Sequence, residues 1–207
     1  SLLFDRKRIS HRRYRPIRAN ASVSGLWKGK VDVVKLLLEK DADVSIADED
    51  GHTPLHSACQ KGHTDIVEIL LEHRARENIV DEDGQIPLHT ACQEGYTDIV
   101  EILLEHGAEL DARDNNNDTP FLLACLNGHM KTAQLLEQKG ADVTAVGQYG
   151  RSALQHAAYG GHTELVSYLI ERGLDINRTD NYQQTPLILA CWKGKVNVVK
   201  LLIEKNV

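Results

Sequence analysis

The chain has 207 residues, 42% apolar and 26% charged, with a net charge of −6 and only two Phe and one Met. That is enough for one domain with a substantial core or for one extended array, and the core must be built from Leu, Ile, Val and Ala. No apolar run approaches the ~18–20 residues a membrane-spanning helix needs, and the opening SLLFDRKRIS lacks the apolar stretch of a secretion signal. An intracellular protein is therefore expected, cytoplasmic in the first place and nuclear in the second. The absent initiator Met and the ending LLIEKNV read as a piece of a longer chain.

In chain order, residues 1–19 come first as a basic segment expected to be flexible, with Arg6, Lys7, Arg8, Arg12, Arg13, Arg15 and Arg18 against Asp5 alone. Without its seven basic residues and one acid, the totals of 24 and 30 fall to 17 and 29, a body at −12. A nuclear-import signal or an acidic-lipid or nucleic-acid contact are the other readings of the segment. The acidic body opposes nucleic acid as a partner.

From residue 20 the chain repeats itself. TPLHSACQKGHTDIVEILLEH at Thr53 returns as IPLHTACQEGYTDIVEILLEH at Ile86, then with more change at Thr119, Ser152 and Thr185, always after 33 residues. One step back lies a degenerate unit in which WKGKVDVVKLLLEK from Trp27 nearly duplicates WKGKVNVVKLLIEK from Trp192. The units are 20–52, 53–85, 86–118, 119–151, 152–184 and an incomplete 185–207.

Within a unit, Thr53 can cap a first helix whose Pro54 loses no needed N–H, and Leu55, Ala58 and Cys59 share one face. Gly62 supplies a left-handed stop. Thr64 and Asp65 start a second helix, with Ile66, Val67, Leu70 and Leu71 as its apolar stripe. Turn signals separate the units: DEDG at 48–51 and 81–84, DNNN at 114–117, GQYG at 147–150 and DNYQ at 180–183.

TPLHSA, the GHTDIVEILLEH segment and GADVTA at 140–145 resemble ankyrin repeats over residues 20–207. The resemblance implies an all-α repeat solenoid: stacked helix–turn–helix units of 33 residues with projecting β-hairpin turns, a concave face lined by hairpin tips and first helices, and a role in binding other proteins. There are departures. Arg74 and Asp41 stand where Gly107, Gly140 and Gly173 do, at an expected cost of about 1 kcal/mol unless the turn is remodelled. Ala153 replaces the helix-opening Pro, and Leu122, Gln155 and Ile188 replace the motif His.

The period puts equivalent residues on neighbouring units, about 8–10 Å apart. Cys59, Cys92, Cys125 and Cys191 are then a ladder of separated core thiols rather than disulfides or metal ligands. By the resemblance, His56 and His89 tie first-helix turns to adjacent backbone, and His73 and His106 close second helices. No Walker phosphate loop, HExxH, GxSxG or Rossmann glycine fingerprint is present, so no enzyme, metal or cofactor is expected. The competing reading is a regulatory or tethering array of a larger enzyme or channel.

The expected partner surface begins with an acidic patch at Glu49, Asp50 and His52, then Glu82, Asp83, Gln85 and Glu94. An aromatic stretch follows at Leu126, Tyr149, Arg151 and Tyr159, then Tyr182, Trp192 and Lys193. The composition suits another protein's segment with basic residues toward one end and bulky apolar ones toward the other. The resemblance also marks Asn177, ahead of Asn78, as a candidate for asparaginyl hydroxylation. Leu187, Ile188, Leu189, Val198, Leu201, Leu202 and Ile203, without a polar cap, point to self-association through the last unit.

Overall fold

The computed structural model describes residues 30–40 and 42–205. The basic segment, Trp27 with the opening of the first unit, and Asp41 lie outside them. Among the described residues are eleven α-helices and no ladder-forming strand. α1 is Val31–Glu39; the pairs that follow are α2 (Pro54–Lys61) with α3 (Thr64–Glu72), α4 (Pro87–Glu94) with α5 (Thr97–Glu105), and α6 (Pro120–Asn127) with α7 (Met130–Gln138). α8 (Ala153–Gly160) with α9 (Thr163–Glu171) and α10 (Pro186–Trp192) with α11 (Val196–Glu204) complete the stack.

Four of the five first helices start on a hydroxyl, Ile86 being the exception, and four stop on a glycine, Lys193 being the exception. Thr53 Oγ1 accepts the His56 amide and, in return, His56 Nδ1 accepts the Thr53 amide at 3.2 Å. At the other end Gly62 takes φ +70°, so that the Gly62 and His63 amides reach the Cys59 and Ala58 carbonyls. The second helices have no side-chain N-cap. Two of the residues at those N-termini reach back instead: His129 and His162 each donate Nε2–H to a carbonyl in the first helix of the preceding unit, Gln93 at 2.8 Å and Leu126 at 2.9 Å.

Stacking is close where side chains are small. Ala58, Ala91, Ala124, Ala157 and Ala190 are fully buried between successive first helices, and Leu70, Leu103, Leu136, Leu169 and Leu202 fill the layer toward the second helices. Cys59, Cys92 and Cys125 are buried free thiols, and burial pushes all three well above the ordinary thiol range. Cys191 breaks the ladder by being exposed. The outward list for the last unit also needs correction: Leu189, Val198 and Leu202 are buried against the preceding unit, and Ile188 and Ile203 are the ones left open, at 47% and 59% exposure.

The motif His is replaced in two different ways. His56 and His89 donate Nε2–H to Gln85 O (3.0 Å) and Ala112 O (3.1 Å) in the loop that closes their own unit. Gln155 reproduces this bridge with its amide, accepting the Ser152 N–H at 2.9 Å and donating to Gln184 O at 2.6 Å. Leu122 gives up the polar bridge and is wholly buried. The turn after α3 is not remodelled: Arg74 itself takes φ +64°.

Candidate functional site

Four of the five described hairpins are turns held by a carboxylate of their own rather than by a strand ladder. Asp81 Oδ1 accepts the amides of Asp83 (2.9 Å) and Gln85 (2.8 Å), and Asp48, Asp114 and Asp180 do the same in their own turns. Successive hairpins are laced together. The last residue of one reaches the Asp that opens the next: His52 Nε2 lies 3.3 Å from Asp81 Oδ2, Gln85 donates to Asp114 Oδ2 at 3.4 Å, and Arg151 Nε donates to Asp180 Oδ2 at 3.1 Å.

The fourth hairpin inverts this arrangement. Gly147 stands where the others have Asp, and the residue before it in the lacing is Asp118, also an acid. Two facing carboxylates would repel, and a Cβ at Gly147 would collide with Asp118 Oδ1. Asp118 takes over the missing function from the unit before, accepting the Gln148 amide at 3.0 Å. Lacking its own Asp, the turn over Gln148–Gly150 carries Tyr149 at φ +61°, a costly conformation for a bulky residue.

That distorted hairpin forms one wall of a concave cavity of about 590 Å³. Tyr149 and Tyr182 stand on adjacent hairpin tips with ring centroids 5.6 Å apart, and Tyr159 and Trp192, at the ends of α8 and α10, face each other at 6.1 Å. Leu126 continues the apolar lining, while Asp118, Gln148, His156 and Gln184 add polar groups. The Arg151 guanidinium lies 5.1 Å from both the Tyr149 and Tyr159 centroids, and Lys193 Nζ lies 4.4 Å from Tyr159 and 5.1 Å from Trp192. At the floor His156 is buried, its Nε2 3.3 Å from Asp118 Oδ1 but without an aligned hydrogen bond.

The expected surface residues thus divide. Tyr182 and Trp192 are each 65% exposed, Tyr149 is exposed and Tyr159 half-buried. Arg151, expected at an accessible tip, is only 8% exposed, because its guanidinium is fastened between Asp180, Gln184 and two tyrosine rings. Glu49, Asp50, Glu82, Asp83 and Glu94 are exposed, and His52, Gln85 and Leu126 are half-buried. Asp48, Asp50 and His52 bring ligand-type atoms within 4.8 Å of one another, but Asp48 Oδ1 already accepts two amides and His52 faces Asp81. Asn177 is exposed, its amide N–H donated to Asp175, whereas Asn78 is tied to the next unit through Gly107 O and the Glu109 amide. Lys193, Tyr159 and Trp192 were visible in the 33-residue register. Asp118, Gln148 and His156 were not, although the acid at 118 facing the Gly at 147 is a signal in the turn column itself.

This is an array of stacked helix–turn–helix repeats, the class of protein the fold defines. A family model of ankyrin repeats in three copies matches residues 26–81, 73–147 and 140–207, and the chain belongs to the ankyrin repeat family. Comparison with curated proteins gave no match. Ankyrin repeats are in general protein–protein interaction modules without catalytic function of their own, and among the described residues no helix is long and apolar enough to cross a membrane.

Proposed function

We infer that this chain is a scaffold or adaptor module that holds an extended segment of another protein along its concave face. The observation that carries the reading is the aromatic cavity between the last hairpins, continuous in register with exposed acidic tips at Glu49, Asp50, Glu82 and Asp83. Exposed Tyr and Trp beside a fixed guanidinium have the composition of an interface hot spot, and acidic tips attract a basic stretch and speed its approach. The partner has Lys or Arg toward one end and bulky apolar residues toward the other. We assign no catalytic role to the array and infer a location inside the cell, where reducing conditions keep its four thiols reduced.

The test is binding of peptides selected from a random library on the intact protein. Tyr182→Ala or Trp192→Ala should weaken the selected peptides by about 2 kcal/mol or more while leaving the unfolding midpoint unchanged. Neutralising Glu82 and Asp83 should mainly slow association and flatten its salt dependence. Binding that survives both aromatic substitutions, but is lost on altering Glu68 and Glu101 on the outer helices, would put the site on the convex side.

A further inference from the structure

The geometry points to a carboxylate, carried next to an aromatic or branched aliphatic side chain of the partner segment, as the group that enters the cavity. This rests on the concave-face reading and deepens it. Ring faces normally recruit a cation from a ligand, but here they are already occupied by the chain's own: Arg151 lies between Tyr149 and Tyr159, and Lys193 lies over Tyr159 and Trp192. A basic side chain entering this space would meet two like charges. The acids nearby are already engaged. Asp180, 3% exposed, holds Arg151, and Asp118, 4% exposed, accepts the Gln148 amide beside the His156 ring.

What remains on offer is positive. Arg151 uses Nε on Asp180 and Nη2 on Gln184, and Nη1 makes no hydrogen bond among the described residues. Lys193 is exposed and makes no ion pair among them. A carboxylate held by Lys193 beside the Tyr159 ring, on which the Arg151 guanidinium also lies, sets its neighbouring apolar side chain against Tyr182 and Trp192, which are open and large enough to cover it. The concave face is then acidic and exposed at the 48–52 and 81–85 hairpins, whereas at the cavity the exposed charge is Lys193 and the acids Asp118 and Asp180 are buried. Three repeats of about 10 Å separate the two ends, roughly nine residues of extended chain. The partner segment is therefore basic, then a spacer, then an acid paired with an apolar anchor.

Random twelve-residue peptides with free C-termini are selected on the intact chain, and each enriched peptide is measured by fluorescence polarisation against wild type, Trp192→Ala and Lys193→Gln. The expected result is an Asp, a Glu or the terminal carboxylate within two residues of the apolar anchor. Replacing that acid by its amide should weaken wild-type binding about threefold to fivefold and have little effect on Lys193→Gln. Amidating the C-terminus separates a terminal from a side-chain carboxylate. Peptides that need Trp192 but carry Lys, Arg or no charge beside the anchor overturn this inference and leave the concave-face reading standing. Peptides indifferent to Trp192→Ala, or no enrichment at all, overturn the concave-face reading and this inference with it.

Discussion

Protonating His56 or His89 means adding a proton to Nδ1, which already accepts the amide of Thr53 or Ile86 at 3.2 Å while Nε2–H donates to a carbonyl of the loop that closes the unit. Burial lowers the pKa of both imidazoles, only partly offset by the nearby acids and carbonyls. A lowered folded pKa leaves the unfolded chain to take up protons first. The contribution of the neutral rings is therefore complete above the unfolded value near 6.5 and is lost as the pH falls below it toward the folded values. Gln155 performs the same bridge without titrating. The double variant His56→Gln, His89→Gln should therefore lose less stability than wild type between pH 7 and 5, with the two curves running parallel above about pH 6.5. Urea denaturation across that range checks this, and a constant offset at every pH would contradict it.

At the level of the turn, four non-glycine residues hold left-handed backbone, Arg74, Asn117, Tyr149 and Gln183, and the first and third of them do so for different reasons. Arg74, at φ +64°, sits on an exposed helix end where the equivalent Gly140 and Gly173 have open space around them, and nothing nearby uses its side chain. Tyr149, at φ +61°, presents its ring to Arg151 and Tyr182. Arg74→Gly should raise stability by about 1 kcal/mol and leave peptide binding alone. Tyr149→Gly should relieve similar strain yet lose binding, since backbone strain is tolerated where the side chain is needed. Chemical denaturation paired with binding titrations of both variants checks the contrast; equal binding by Tyr149→Gly would make that strain incidental. The caps and glycine stops were legible in the sequence because Thr, Pro and Gly act within a few residues. The lacing between hairpins was not, since it joins residues 29 to 33 apart and a column of equivalent positions says which residues are alike, not which touch. Arg151 is the clearest case: its burial follows from Asp180, at the same offset that joins His52 to Asp81 and Gln85 to Asp114.

Across the whole molecule, nearly the same helix occurs twice in different surroundings. In α1, α3 packs on the downstream side, so Val31 and Leu38 are half-buried and Val34 is buried. In α11 the matching Val196 and Ile203 are 61% and 59% exposed, and Ile188 and Trp192 on α10 extend the same apolar face. The stack is held by burial of each unit against the next, and a face of this composition drives association with another apolar surface. Val196→Lys with Ile203→Lys places two charges on solvent-facing positions and should shift the chain toward monomer at tens of micromolar, with unfolding free energy changed by less than about 1 kcal/mol. Covering the face with a further repeat should do the same. Trp192 is exposed beside this end face and also lines the cavity, so association through α10 and α11 would compete with a partner segment for one side chain. The lysine pair, which leaves Trp192 in place, should therefore strengthen apparent peptide binding at high protein concentration and leave it unchanged when dilute. Light scattering coupled to sizing, with titrations at two protein concentrations, measures both effects. An unaltered mass distribution would show that this face does not drive assembly, and concentration-independent binding that it does not overlap the recognition site.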